Sequence, residues 1–126
     1  MRTYFFTYEE LEYLASILIV QGEILDQEEI PWFRFQKKRK KNRLLRELRS
    51  ILAQIIPVVN EADQNQHNEV LHLALEREKI SLIQRVLSMT QTLMHLSNES
   101  LTEETEKLLY ISHSLQRKFE IVKSED

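Results

Sequence analysis

Residues 44–59 read LLRELRSILAQIIPVV, and this stretch decides the fold class. Leu45, Leu48, Leu52, Ile55 and Val59 recur at alternating spacings of three and four, and Leu44, Ile51 and Val58 widen the stripe into a face. Such spacing lines one side of an α-helix with apolar side chains. Pro57 lacks the N–H that would bond to the preceding turn, so the pattern predicts a kink or an end near Ile56. The polar run Asn60 to Asn68 reads as a loop.

Working outward, Thr7 and Glu10 make a capping box, in which the hydroxyl accepts an N–H three residues on and the carboxylate reaches back. A first helix is predicted from there, with Leu11, Leu14, Ala15, Leu18 and either Ile17 or Ile19 inward and Glu9, Glu10 and Glu12 toward solvent. Gly22 is a candidate break. Met1 to Phe6, aromatic and short, reads as a packing arm with no partner strand in view. Pro31 marks Asp26 to Phe35 as the connection into the second helix, which starts near Lys37.

A third helix is predicted over Glu69 to Ser97, its face formed by Val70, Leu73, Ala74, Ile80, Ile83, Leu87 and Met94. Ser97, Asn98 and Ser100 supply a turn, and Thr102 caps a fourth helix with Glu103, Glu104 and Glu106 at the positive end of its dipole. Leu108, Ile111, Leu115, Phe119 and Val122 give that helix its inner stripe, and Lys118 and Lys123 suit its negative end.

One glycine, two prolines and no cysteine point the same way. Tight hairpins generally need glycine at positive φ, so helix is favoured, and the lack of thiols excludes disulfides and cysteine chemistry. The fold expected is all-α, a small antiparallel bundle of three to four helices, closed within one chain or completed by a second copy. With 126 residues, 42% hydrophobic and 29% charged, the chain fits a single domain over residues 1–126 that folds in water. No fixed-period repeat appears, which argues against a solenoid.

Leu14 to Val20 is far short of the roughly 20 apolar residues that span a bilayer. The N-terminal stretch has no secretory pattern, and a cytoplasmic location is expected.

Catalytic constellations are absent. Glu69 and His72 make Glu-x-x-His, the spacing of di-iron bundles, but no second pair accompanies it, so His72 reads as a polar helix residue. His67, His95 and His113 form no ligand set, and Gly22 alone cannot build a phosphate loop or a nucleophile elbow. No enzyme, cofactor, metal or small-molecule ligand is predicted.

Charge carries the functional reading. Residues 1–33 have a net charge of −6, 34–49 of +8 and 50–126 of −5, so a total of −3 conceals a concentrated basic patch. Arg34, Lys37, Lys38, Arg39, Lys40, Lys41, Arg43, Arg46 and Arg49 make it, beside Trp32, Phe33 and Phe35. Five consecutive cations encircle a helix and oppose the dipole at its N-terminus, so helix stability alone would not select them.

The leading reading is a non-enzymatic binding or adaptor protein whose candidate site is Trp32, Arg34, Phe35, Lys37, Lys38, Arg39, Lys40, Lys41, Arg43 and Arg46. The expected partner is an acidic protein or a second copy, the acidic first helix of one meeting the basic helix of another. Single-stranded nucleic acid is the alternative, with cations on phosphates and aromatics on bases. Against it, the acidic remainder repels a polyanion over a screening length of about 8 Å. A membrane surface is the weakest of the three, because Leu45, Leu48 and Leu52 are committed to a core. The bland reading is a solvated helix start pairing with Glu23, Asp26, Glu28, Glu29 or Glu47, with Trp32 as a core lid. Lys37 to Lys40 also matches a nuclear-import pattern, a short and unspecific one.

Overall fold

The computed structural model describes residues 1–64, 70–97 and 103–124. About 80% of the described residues are helical. In chain order come β1 (Arg2–Phe6), α1 (Tyr8–Gln27), α2 (Phe35–Gln64), β2 (Leu71–Leu75), α3 (Arg77–Ser97) and α4 (Glu103–Ser124).

Among the described residues the chain is mostly helical with four helices, as expected, and adds a small two-stranded sheet that was not foreseen. β1 and β2 pair antiparallel, with Arg2 opposite Leu75, Tyr4 opposite Leu73 and Phe6 opposite Leu71. Arg2–Phe6 is therefore no isolated arm, and the third helix starts at Arg77 rather than at Glu69. The physical reason is period two: Leu71, Leu73 and Leu75 are buried while His72 is exposed, and Tyr4 and Phe6 are buried between exposed Thr3 and Phe5. Scarcity of glycine did not prevent this sheet, because two helices rather than a tight turn connect its strands.

The capping box forms as predicted, with Thr7 N donating to Glu10 Oε1 at 2.9 Å and Glu10 N donating to Thr7 Oγ1 at 3.2 Å. Gly22 does not break α1, which runs on to Gln27. Pro57 sits inside α2 and does not end it, so Asn60 to Gln64 are helical rather than loop. The remainder of that loop, His67, Glu69, the turn at Asn98 and Ser100, the Thr102 cap, and the side chains of Val122 and Lys123 lie outside the described residues.

One hydrophobic cluster draws on all six elements, with Phe6, Leu11, Leu14, Leu18, Ile51, Ile55, Leu75, Ile83, Leu87, Leu115 and Phe119 almost wholly enclosed. Among the described residues the inner stripes read for α2, α3 and α4 largely turn toward the core, although Val70 is 61% exposed and precedes β2. Glu10, read as solvent-facing, is 6% exposed and belongs to the interior.

The element order is a β-α-α unit used twice, and the antiparallel pairing places a local two-fold at Tyr4 and Leu73. Details repeat with it. Leu11 N bonds to Thr7 O and Ile80 N bonds to Glu76 O at the two helix starts. Lys118 of α4 donates to Phe5 O of β1, and Gln54 of α2 donates to Ala74 O of β2. Along α2 and α4, 17 of the 18 pairs from Arg39/Glu103 to Ile56/Glu120 agree in burial, which fixes this alignment of the two halves. Strand and first helix are displaced by 69 residues and the second helix by 64, which is why no fixed period is visible.

Candidate functional site

α2 opens with a turn in which Arg34 N donates to Pro31 O at 2.9 Å, and Lys38 N then makes the first helical bond, to Arg34 O. Trp32 and Phe33 occupy the two corners of that turn. Trp32 is 77% exposed and Phe33 and Phe35 are each 62% exposed, so Trp32 is not the core lid expected of it. Its ring meets Phe33 edge-on, 6.0 Å between centroids. Three large aromatics outside any core on four consecutive residues form the kind of apolar patch that a chain without a partner seldom keeps.

Around them the structure brings together the predicted cations. Lys41 clamps the end of α1, its Nζ donating to Glu28 O at 2.6 Å and Asp26 O at 3.4 Å. Those are carbonyls that the helix end leaves without intrahelical donors, so this cation has a structural task. Lys37 pairs with Glu28 at 3.4 Å and Arg43 with Glu47 at 3.9 Å, both at exposed positions. The side chains of Arg34, Lys38, Arg39, Lys40 and Arg46 are exposed and make no ion pair among the described residues. No acidic residue stands in the first turn of α2 to answer them. Solvated pairing thus accounts for part of the patch, and six of its nine cations, these five and Arg49, remain unanswered among the described residues.

A second feature escaped the sequence reading. Ile17, Val20 and Ile24 of α1 face Leu93 and Met94 of α3 and Leu108 of α4 across a groove of about 730 Å³. That lies within the range of about 300–1,000 Å³ typical of binding clefts. Val20 and Ile24 are each 53% exposed and Leu93 is 56% exposed. Glu9, Glu12 and Glu104 line the same groove, against Lys107 alone. At its mouth the Tyr8 hydroxyl donates to Asp63 Oδ1 at 3.3 Å. The Tyr8 phenol is pushed up to about 12, first by its hydrogen bond to Glu12, then by desolvation and by the charges of Glu12 and Asp63. Three carboxylates thus face one cation across the groove.

The internal repeat relates these two features. Arg39, Lys40 and Asn42 of α2 correspond to Glu103, Glu104 and Glu106 of α4, so equivalent helix entrances carry opposite sign.

His72 lies on β2 rather than on a helix, exposed, with its ring 4.7 Å from that of Phe5. Among the described residues no group of three metal-ligating side chains gathers, and no helix is long and apolar enough to cross a membrane. Comparison with known proteins finds no matching family model, curated protein or solved structure.

Proposed function

We propose that this chain is a binding or adaptor protein whose recognition element is the entrance to α2, with Trp32, Phe33 and Phe35 as apolar anchors and Arg34, Lys38, Arg39, Lys40 and Arg46 as the charge that selects an acidic partner. The observation that carries the reading is the exposure of all three aromatics beside cations that no carboxylate among the described residues answers. Aromatic and arginine side chains contribute most at protein interfaces once desolvated, while flanking charge sets encounter rate and partner choice. Lys41 and the Lys37–Glu28 pair support it by anchoring the element to α1.

Trp32 is the only tryptophan, so intrinsic fluorescence reports on this element alone. Titration with an acidic peptide is expected to shift its emission to the blue in a saturable, salt-sensitive way. The effect should vanish in a Lys38→Glu, Arg39→Glu, Lys40→Glu variant, which leaves the Lys41 clamp intact. A tighter response to a single-stranded oligonucleotide would replace the acidic protein with nucleic acid as the partner, since aromatics among cations also suit base stacking. No response to either would overturn the reading.

A further inference from the structure

We infer that the groove between α1, α3 and α4 receives the basic aromatic segment of a second copy of this chain, residues 31–41 of one molecule entering the groove of the next. The inference rests on reading that segment as a binding element and names its partner. Each surface has what the other lacks. The segment offers Trp32, Phe33 and Phe35 unburied, while the groove presents Val20, Ile24 and Leu93 to solvent. Glu9, Glu12 and Glu104 stand on the groove side, with Glu103 and Glu106 exposed on the same turn of α4, and Arg34, Lys38, Arg39 and Lys40 stand on the segment side.

A molecule's own segment does not fill its own groove. Lys41 fastens the start of α2 to the Asp26 and Glu28 carbonyls, and Lys37 adds a pair to Glu28, so the segment is held at the C-terminal end of α1. The groove runs from that end back to Tyr8 and Glu9. Because the two halves repeat with inverted charge at Arg39/Glu103 and Lys40/Glu104, the molecule is cationic at one helix entrance and anionic at the equivalent one. Head-to-tail association joins unlike ends, whereas joining like ends brings equal charges together.

The test uses light scattering and Trp32 emission on the full chain over a range of concentrations and salt. Three variants accompany it: Glu12→Lys with Glu104→Lys at the rim, Ile24→Asp on the exposed floor, and Lys38→Glu with Arg39→Glu and Lys40→Glu on the segment. All sites are exposed, and circular dichroism checks that each variant keeps its helix content. Wild type should exceed the 15.1 kDa of one chain as concentration rises, with a parallel blue shift of Trp32. Each variant alone should associate at least tenfold more weakly. An equimolar mixture of rim and segment variants should regain a species of twice the chain mass, since one supplies an intact segment and the other an intact groove.

A wild-type monomer that still answers acidic peptide overturns the second-copy inference and leaves the binding reading standing. Association unaffected by both groove variants overturns the groove as receptor. Silence of Trp32 toward a second copy and toward acidic peptide alike removes both.

Discussion

Lys118 Nζ lies 2.8 Å from Glu10 Oε1, and this pair ties α4 to the first turn of α1. The same ammonium donates to Phe5 O at 2.6 Å and stands 5.0 Å from the centre of the Phe6 ring. Ser114 Oγ donates to the other Glu10 oxygen at 3.3 Å. In the second half of the molecule Lys79 occupies the place of Glu10 and Gln54 that of Lys118, and Lys79 Nζ donates to Gln54 Oε1 at 2.7 Å. Lys118 is part-exposed and Glu10 is buried, so removing the ammonium leaves a buried carboxylate with only Thr7 N and Ser114 as partners among the described residues. Lys118→Met should cost about 3 kcal/mol in denaturant unfolding, and adding Glu10→Gln should recover part of that loss. A double-variant loss equal to the sum of the two single losses would show that the two groups are not coupled.

Tyr13 presents the opposite case. Its hydroxyl is buried and has no hydrogen-bond partner among the described residues. Burial raises its pKa, with nearby Ser112 offsetting part of that. Since an unmade buried bond costs about 1–3 kcal/mol, Tyr13→Phe should be neutral or raise stability by up to about 1 kcal/mol. A clear fall in melting temperature would show that the hydroxyl has a partner after all.

Gly22 lies inside α1, and a Cβ built there meets nothing within 4 Å. Gly22→Ala should therefore stabilise the protein by about 0.5–1 kcal/mol through helix propensity and a less disordered unfolded chain. Chemical denaturation should show the midpoint rising with an unchanged slope.

Pro57 is exposed within α2 and deprives the helix of one N–H. Pro57→Ala restores that donor and should add at least about 1 kcal/mol, given the cost of roughly 3 kcal/mol for proline in a helix interior. Unchanged or lower stability would mean that α2 is shaped around the ring.

Tyr8 should ionise near 12, and the difference in tyrosinate absorbance between wild type and Tyr8→Phe during an alkaline titration reads this. The sign follows from linkage: the folded state holds the phenolic proton above the unfolded value of 10.0, so the contribution is full below pH 10 and is lost as pH rises through about 12. Glu12→Gln should bring the ionisation back toward 10.0, the ordinary value. A Tyr8 titration unmoved by that substitution would remove Glu12 as its cause.

Much of this was legible from residue order. The capping box of Thr7 and Glu10, the stripe through Leu48, Ile51 and Ile55, and the exposed cations follow from spacing and charge, which are local properties. The strands were missed because Leu73, seven residues before Ile80, also fits the helical face read through Ile80 and Ile83, and because pairing with Tyr4 and Phe6 is a property of distant residues. The duplicated plan was hidden for a related reason: of the pairs joining residues 1–27 to 70–96, only Glu9/Glu78 and Leu18/Leu87 are identical. Burial repeats there, but chemistry does not. At the candidate site the cations were foreseen and the exposure of Trp32 was not, since a tryptophan after proline fits a lid as well as a turn corner. The groove was invisible because Val20, Ile24 and Leu93 have the spacing of core residues, yet the fold leaves them more than half exposed.

The pairing of Tyr4 with Leu73 spans 69 residues, with the whole α1–α2 hairpin between them. That hairpin forms from neighbours and can assemble quickly, whereas closing the ribbon incurs the entropy of a long loop before any ladder bond repays it. Between those events Tyr4 and Phe6 have no strand beside them, and the edge they leave open is the vulnerable state of the folding chain. Refolding should consequently be limited by arrival of β2, and substitutions at Leu71 or Leu73 should slow it more than equal losses of stability placed in the α1–α2 hairpin.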